Sequence, residues 1–303
     1  MSTVYLGTSA FAATVLERLA ASAHRPSLVV TRPDSRRGRG RRVASPPVAG
    51  AARALGLEVE QPESVNSPEA VERIAALRPR AICVCAFGAL VREPLLSLRP
   101  LLNVHPSLLP RWRGAAPIER AIEAGDASTG VSIIELVEEL DAGPICAQRT
   151  EPIERGDDFA SLSARLALRS GELLVETLDG EPEPVPQARE GITYAEKIGP
   201  EDRRLDPRRP AAELERRVRA LSPHIGAHLE LDSGERLGVG RAAVAAEAVG
   251  GAPGELVAHG ERLLLACAEG RLELLEVRPE GGRSMDAAAY LRGRGAALRG
   301  AVH

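Results

Sequence analysis

An amide and an imidazole two positions apart are the first candidates for chemistry in this sequence. Asn103 and His105 end the predicted strand Leu101–His105, so their side chains point to the same side. Pro106 and Pro110 prevent regular structure from continuing, and the chain must leave as an ordered loop. Such a pair suits stabilisation of a developing oxyanion and movement of a proton. The residues alone leave open a structural alternative, a capping amide and a histidine bonded to a carbonyl.

An acidic loop between two predicted strands, residues 135–144, could supply a carboxylate to this pair. A carboxylate beside His105 would favour the charged form of the imidazole. The acidic side chains of the loop are Glu135, Glu138, Glu139 and Asp141. Loop carboxylates are commonly just solvated, and the residues alone do not choose among these four.

A cluster of arginines lies in the predicted irregular loop after the second strand. Six arginines fall within residues 31–42, and glycines separate several of them. A flexible, densely cationic loop suits phosphates and indicates an anionic, nucleic-acid partner; a solvated loop is the alternative. The candidate contacts are Arg36, Arg37, Arg39, Arg41 and Arg42. Trp112, between Arg111 and Arg113, could contact a ligand or pack at the base of its loop.

The elements that must position these residues alternate between strand and helix over the first ~180 residues, which predicts a doubly wound, mostly parallel sheet. Open sheets of this kind place their ligands at the carboxyl ends of the strands. The segment Gly7-Thr8-Ser9-Ala10 lacks the glycine spacing of a dinucleotide fingerprint, which disfavours an NAD enzyme.

A second domain is indicated by a change of pattern along the chain. The proline-rich stretch Glu181–Pro186 reads as the start of a linker. Five short predicted strands between residues 227 and 277 then favour a small, OB-like β-barrel. We therefore expect domains at residues 1–182 and 207–303, joined by a linker at residues 183–206.

Composition limits the class of protein. The chain has 303 residues and a net charge of −3, which permits a local basic patch but not a protein that is basic throughout. No apolar run approaches the ~20 residues of a membrane span, and the N-terminus lacks the features of a signal peptide. The four cysteines show no CxxC spacing, so we expect a cytoplasmic protein without a metal site.

The motif around His105 resembles the signature of 10-formyltetrahydrofolate-dependent formyltransferases. That signature extends from Asn103 through Pro110 and continues as Arg111-Trp112-Arg113-Gly114-Ala115-Ala116-Pro117-Ile118. The Arg-Trp-Arg version is similar to the branch of the family that formylates methionyl-tRNA. Further matches are Gly7-Thr8, Arg32-Pro33-Asp34, Leu140-Asp141-x-Gly143, Tyr194-Ala195-Glu196-Lys197-Ile198 and Ser284-Met285.

The resemblance implies a Rossmann-like, folate-binding domain followed by an OB-like domain that helps to hold tRNA. It implies that Asn103, His105 and Asp141 are the catalytic residues and that the arginine-rich loop contacts the acceptor stem of the tRNA. The segments implied to lie against folate are Phe87, Gly88 and Leu90, and Ser107, Leu108, Leu109 and Pro110.

The implied activity is transfer of the formyl group of 10-formyltetrahydrofolate to the free amino group of methionyl-initiator-tRNA by a monomer that needs no metal. A 10-formyltetrahydrofolate hydrolase and a sugar-nucleotide N-formyltransferase remain as alternatives. The arginine-rich loop favours a polyanionic acceptor over a sugar nucleotide. A non-catalytic RNA-binding module would explain that loop but not Asn103, His105 and Asp141 together.

Overall fold

The structure is a computed structural model that describes residues 2–37, 42–98, 100–246, 251–294 and 300–301. Contacts divide the chain into two compact units. The first unit contains Met1–Pro117, Ser128–Pro152 and Ser163–Ala195, and the second contains Ile118–Ala127, Ile153–Leu162 and Glu196–His303. The predicted linker, residues 183–206, is divided between the units after Ala195, and its bounds stay a prediction.

Strands and helices alternate in the first two thirds of the chain. The strands are β1 (Thr3–Gly7), β2 (Pro26–Val30), β3 (Ser35–Arg37), β4 (Arg42–Ala44), β5 (Val59–Glu60), β6 (Ala81–Cys85), β7 (Leu101–His105), β8 (Arg113–Gly114), β9 (Ser128–Glu135), β10 (Ile145–Pro152) and β11 (Tyr194–Ala195). The helices are α1 (Ala10–Ala20), α2 (Pro47–Ala54), α3 (Pro68–Ala76), α4 (Pro117–Ala124) and α5 (Phe159–Gly180), with a 3₁₀ turn at Leu95–Ser97.

The main sheet of the first unit has the strand order β10-β9-β7-β6-β1-β2-β5. The pairs from β7 to β5 are parallel, and β9 and β10 extend the sheet antiparallel. The order reverses at β1, so the loops after β1 and β6 flank a topological switch point, where open sheets bind ligands. All five residues of β1 and of β6 are buried, as expected of strands covered on both faces.

The helices begin at signals that the sequence carries. The Ser9 side chain accepts a hydrogen bond from the Ala12 backbone at the start of α1, and Ser67 caps α3 in the same way. Proline occupies the first position of α2 and of α3, where its missing N–H costs nothing. The loops that lead into these helices are therefore held at defined ends.

The second unit contains an antiparallel sheet. Its elements after Glu196 are a 3₁₀ turn at Glu201–Arg203, α6 (Ala211–Leu221), β12 (Ala227–Glu230), β13 (Arg236–Val244), β14 (Glu255–His259), β15 (Arg262–Ala266), β16 (Arg271–Pro279), β17 (Met285–Asp286), α7 (Ala287–Arg294) and β18 (Gly300–Ala301). The strand order is β12-β13-β16-β15-β14-β18, with β17 paired to β16. Its buried core joins strand residues such as Leu263 and Leu274 to Leu214 and Val218 of α6.

The two sheets confirm the predicted fold class, a mostly parallel α/β unit followed by a strand-rich antiparallel one. Closure of the second sheet into an OB-like barrel stays a prediction. The interpretation of residues 31–42 as an irregular loop is wrong for Ser35–Arg37 and for Arg42. These residues belong to β3 and β4, which pair antiparallel and so satisfy each other's backbone hydrogen-bonding groups. None of the helices in the described part of the chain combines the length and apolarity that a membrane span requires.

Candidate active site

Strand β7 positions the amide and the imidazole. It lies between β6 and β9, where Asn103 pairs with Ile134 and His105 with Ser132. His105 is buried and Asn103 half-buried. Because β7 is an internal strand with neighbours on both sides, its backbone is fixed, and the two side chains leave the same face at its carboxyl end. This placement confirms the predicted shared face.

Asp141 is the acidic residue of the 135–144 loop that reaches both of them. Its Oδ1 accepts from Asn103 Nδ2 at 3.3 Å, and its Oδ2 lies 3.6 Å from His105 Nδ1. The Asp141 side chain is only 10% exposed, whereas the Glu139 side chain is 72% exposed and pairs with Arg113. Tertiary structure thus makes the choice among the loop carboxylates that the residues alone leave open.

The orientation of the His105 ring is set by a backbone carbonyl. His105 Nε2 lies 2.8 Å from the carbonyl oxygen of Trp112. A carbonyl only accepts hydrogen bonds, so Nε2 carries a proton and donates it, and Nδ1 is the nitrogen that faces Asp141. Trp112 has a positive φ of 63°, and its N–H donates to Thr193 Oγ1 at 2.9 Å. The part of the Arg111-Trp112-Arg113 motif that faces the site is therefore a backbone carbonyl.

Asp141 itself adopts an unusual backbone conformation. Its φ is 47°, a region that non-glycine residues occupy only when the surrounding structure holds them there. The Gly114 N–H donates to Asp141 Oδ2 at 2.8 Å, whereas Asn103 bonds Oδ1, so both carboxylate oxygens are held. Two residues on, Gly143 packs so closely that an added Cβ would overlap the carbonyl oxygen of Glu135.

The segment of residues 185–195, which we call the strap, completes the site. Gln187 Nε2 donates to the carbonyl oxygens of Asp141 and Gly143 at 2.7 and 2.8 Å. In the same segment, Thr193 bonds Trp112, and β11 pairs with β8. The sequence reasoning missed Gln187 and Thr193 because a proline-rich stretch has the composition of a linker, and no local signal distinguishes them.

The predicted folate segment Ser107–Pro110 follows β7 as a fixed loop. Ser107 Oγ donates to the carbonyl oxygen of Arg111 at 2.6 Å. Ser132 Oγ donates to the carbonyl oxygen of Ser107 at 2.7 Å and accepts from the Leu109 N–H at 3.1 Å. The structure therefore joins this segment to β9 beside the catalytic candidates, with a backbone that is already held in place.

The other predicted folate segment borders a cleft at the switch point of the sheet. Phe87 and Leu90 line the cleft, which has a volume of about 560 Å³, and Gly88 lies between them. The Thr8 hydroxyl donates to the carbonyl oxygen of Phe87 at 2.6 Å, and Asn66 Nδ2 donates to that of Leu90 at 2.8 Å. The loop wall of the cleft is therefore pinned by side chains from two other loops.

Three of the five predicted tRNA-contacting arginines lie among the described residues. Arg36 is exposed in β3. Arg37 and Arg42 end β3 and begin β4, while Arg39 and Arg41 lie outside the described residues. Arg36, Arg37 and Arg42 therefore lie on the paired strands β3 and β4, which we call the arginine-rich hairpin. Contact of the five arginines with RNA stays a prediction.

No group of metal-ligating side chains occurs within residues 2–37, 42–98, 100–246, 251–294 and 300–301. The cysteines of β6 are fully buried, and burial raises the pKa of both the Cys83 and the Cys85 thiol to about 12. A thiol with such a pKa stays protonated at neutral pH and is a poor nucleophile or metal ligand. The groups that meet at the end of β7 are an amide, an imidazole and a carboxylate.

Comparisons with known proteins match nearly the full length of the chain. A family model described as "Formyl transferase" matches residues 1–178, and one described as "Formyl transferase, C-terminal domain" matches residues 197–295. A protein of Halorhodospira halophila named methionyl-tRNA formyltransferase is 45% identical over an alignment of 303 residues, gaps included, and the alignment covers 96% of each chain. A protein of the same name from Paracoccus denitrificans is 43% identical over 296 residues, which cover 97% of each chain.

Solved structures share the fold at lower identity. The crystal structure of HypX from Aquifex aeolicus in complex with tetrahydrofolic acid has a TM-score of 0.63 and is 20% identical. The match covers 95% of the present chain and 46% of the HypX chain. At this identity the likeness concerns the fold alone, and the present chain spans about half the length of HypX.

Proposed function

This chain belongs to the formyl transferase family, and we propose that it transfers the formyl group of 10-formyltetrahydrofolate to the free amino group of methionyl-initiator-tRNA. The products are N-formylmethionyl-tRNA, for initiation of translation, and tetrahydrofolate. The observation that carries the proposal is that relatives named methionyl-tRNA formyltransferase match nearly the full length of the chain at 39–45% identity. The names of these relatives favour methionyl-tRNA as the acceptor over water or a sugar nucleotide.

The described residues suit a folate. Folate joins a flat heterocycle to an aromatic linker and an acidic tail. The cleft beside Phe87 has a volume of about 560 Å³, which is typical of small-molecule sites. Its apolar lining includes Phe87 and Val65, and its cationic lining includes Arg32 and Arg92. Ser107–Pro110 would supply the wall nearer to His105.

Asn103 and His105 would stabilise the charge of the transition state. The folate supplies an activated formyl carbon, which the amine of the methionyl ester attacks. The C–N bond to the amine forms, the C–N10 bond breaks, and a proton moves from the amine to N10. Asn103 donates one amide hydrogen to Asp141. Its second amide hydrogen would bond the formyl oxygen as negative charge develops there.

His105 and Asp141 would act as a pair on the proton. Since Nε2 donates to Trp112, Nδ1 is the atom of His105 that accepts a proton and returns it. Asp141, 3.6 Å away, would stabilise the imidazolium that forms. The charged ring would also support the hydrogen bond that Asn103 gives to the oxyanion, because both side chains leave the same face of β7.

We propose that Arg36, Arg37, Arg39, Arg41 and Arg42 contact the tRNA, since a hairpin rich in guanidinium groups binds phosphates. The domains would span residues 1–182 and 207–303, with the second helping to hold the tRNA. A cytoplasmic location follows from the cytoplasmic acceptor. A monomer is supported because Asn103, His105, Asp141 and Gln187 meet within one chain; size-exclusion chromatography with light scattering tests this.

The proposal is tested by incubating the protein with labelled 10-formyltetrahydrofolate and charged initiator tRNA. We expect label in N-formylmethionyl-tRNA and release of tetrahydrofolate in equal amounts. Uncharged tRNA is the matched control, because it offers the same phosphates without an amine. Release of formate without labelled tRNA would identify a hydrolase, and label on an added amino-sugar nucleotide would identify the sugar-directed alternative. Either result would refute the proposal.

A further inference from the structure

Two backbone hydrogen bonds lie within the Asp141 loop: the Glu135 N–H donates to the carbonyl oxygen of Pro144 at 3.0 Å, and the Ala142 N–H donates to that of Glu139 at 3.3 Å. Asp141 has a φ of 47°, and the preceding Glu138, Glu139 and Leu140 are exposed. Exposed neighbours contribute little packing, and neither of the two bonds within the loop uses the N–H or the carbonyl of Asp141. Contacts from outside the loop therefore help to hold the unfavourable conformation of Asp141. The Gly114 N–H holds the carboxylate, but it does not hold the backbone.

Gln187 of the strap is the side chain that contacts this backbone. Its Nε2 donates to the carbonyl oxygens of Asp141 and Gly143, two residues apart, at 2.7 and 2.8 Å. An amide NH₂ group has two hydrogens and can serve both carbonyls at once. The pair of bonds therefore spans the turn that carries Asp141.

Arg113 fixes the orientation of the Gln187 amide. Gln187 Oε1 accepts from Arg113 Nε at 3.1 Å and from Arg113 Nη2 at 2.8 Å. A guanidinium only donates, so the oxygen of the amide must face Arg113 and the nitrogen must face the loop. Arg113 is 5% exposed, so water competes little for these bonds. If the amide nitrogen of Gln187 faced Arg113 instead, buried N–H groups would lack an acceptor, which costs free energy.

The strap is itself anchored on both sides of Gln187. The backbone of Val185 exchanges two hydrogen bonds with Ile145, at 2.7 and 2.9 Å. Towards the other end, the carbonyl oxygen of Thr193 accepts from the Arg113 N–H at 2.9 Å, and that of Ala195 accepts from the Ala115 N–H at 2.8 Å. Gln187 is thus presented to the Asp141 loop by a segment with fixed ends.

We propose that Gln187 is a positioning residue for the transfer reaction, which sets the backbone of Asp141 and through it the geometry of the His105–Asp141 pair. The proposal rests on the proposed function, because that function assigns the pair its role. Gln187 contacts neither the formyl group nor the amine. Its loss should therefore lower kcat and leave the binding of both substrates intact.

The test compares Gln187→Met with Glu190→Gln. Methionine keeps the approximate length of the side chain but removes both donors and the acceptor, whereas Glu190 is exposed on the same strap. We expect Gln187→Met to lower kcat about 10- to 100-fold, the range seen when partners that orient a reactive ligand are removed. KM for folate and for tRNA should stay within about twofold, and Glu190→Gln should match the unchanged protein.

A spectroscopic signature separates positioning from general destabilisation. The imidazole resonances of His105, identified by their loss in His105→Gln, should shift in Gln187→Met and not in Glu190→Gln. If Gln187→Met fails to fold, Gln187→Glu takes its place. A carboxylate keeps the acceptor for Arg113, but it cannot donate to the carbonyl oxygens of Asp141 and Gly143. Either variant should lower kcat.

An unchanged kcat in a folded Gln187 variant, or a loss confined to KM with unshifted His105 resonances, would overturn the proposal. The unchanged protein is assayed first with Met-tRNA, with water and with an amino-sugar nucleotide as acceptors. Absence of transfer to Met-tRNA there would refute the proposed function. The kcat of the Gln187 variants would then be measured with the acceptor that works, so the two failures are distinguishable.

Discussion

At the residue scale, the polar atoms of His105 and Asp141 are divided among several partners. His105 Nε2 bonds Trp112, whereas Nδ1 faces Asp141. The two carboxylate oxygens of Asp141 are also divided, one towards Asn103 and the other towards Gly114 and His105. Substitution of one group therefore removes a defined part of the proposed mechanism.

Replacement of the proton-transfer pair should stop turnover without removing the tRNA. We expect Asp141→Asn and His105→Ala each to lower the formylation rate by about 100- to 10,000-fold, the usual range for general acid–base groups. The tRNA dissociation constant, measured by filter binding, should change little because neither residue lies in the arginine-rich hairpin. Glu138→Gln in the same acidic loop is the control. Near-normal turnover of either variant would remove that residue from the mechanism.

Gly143 should be irreplaceable for a steric reason. The Cβ of Gly143→Ala would overlap the Glu135 carbonyl oxygen, and overpacking of this kind typically costs ~1–3 kcal/mol. We expect a lower midpoint of thermal unfolding and a loss of activity, since the same loop carries Asp141. Gly156→Ala is the matched control, because its Cβ would meet no atom within 4 Å. Equal unfolding midpoints for the two variants would contradict the steric argument.

At the scale of elements, β6 shows how burial controls the chemistry of a side chain. The strand is buried at all five positions, and its thiols have a raised pKa of about 12 because the thiolate would lose its hydration. Cys146 in β10 is half-buried, and burial raises its pKa to about 11. The cysteines therefore serve as small apolar side chains in the sheet.

Thiol labelling tests this description. At pH 8 the folded protein should react slowly with an aromatic disulfide reagent, because the thiolate is the reactive form and each pKa lies well above 8. Cys146 should react before the cysteines of β6, and Cys146→Ser should remove that phase. All four thiols should react at once in denaturant. Rapid labelling of three or more thiols in the folded state would be inconsistent with the burial of β6, because at least one of them would be Cys83 or Cys85.

The elements differ in how well their residues predict them. Strands β6 and β7 follow from apolar runs, and α1 and α3 from their caps and periodicity, because these signals are local. The two-residue strands β8 and β11 are too short to show a periodicity. Each forms only because the strap returns to the loop after β7 and pairs with it. The pairing of β3 with β4 was missed for a related reason: its arginines resemble a solvated loop.

At the scale of the whole molecule, binding of a polyanion to a chain of net charge −3 requires that positive charge be local. The arginine-rich hairpin is the strongest candidate. Each contact between an arginine and a phosphate displaces condensed counterions, so binding should weaken as salt increases.

Neutralisation of the hairpin should weaken tRNA binding specifically. We expect Arg36→Gln to raise KM for tRNA and to reduce the salt dependence of tRNA binding by about one unit per lost phosphate contact. Combining it with changes at Arg37 and Arg42 should add to the effect, and KM for folate should not change. Arg18→Gln on α1 is the control for an exposed cation elsewhere. A rise in KM for folate alone would exclude the hairpin from tRNA binding.

The sequence by itself determined the alternation of strands and helices, the change to short strands after residue 226, and the shared face of Asn103 and His105. Each depends on periodicity or on proline and glycine, which act over a few residues. Only the tertiary structure shows that Asp141 contacts Asn103 and His105, places the Trp112 carbonyl on His105, and brings Gln187 to the Asp141 loop. These contacts join residues 7 to 46 positions apart, and such contacts leave no pattern in a single sequence because they depend on how the sheet and the strap fold back.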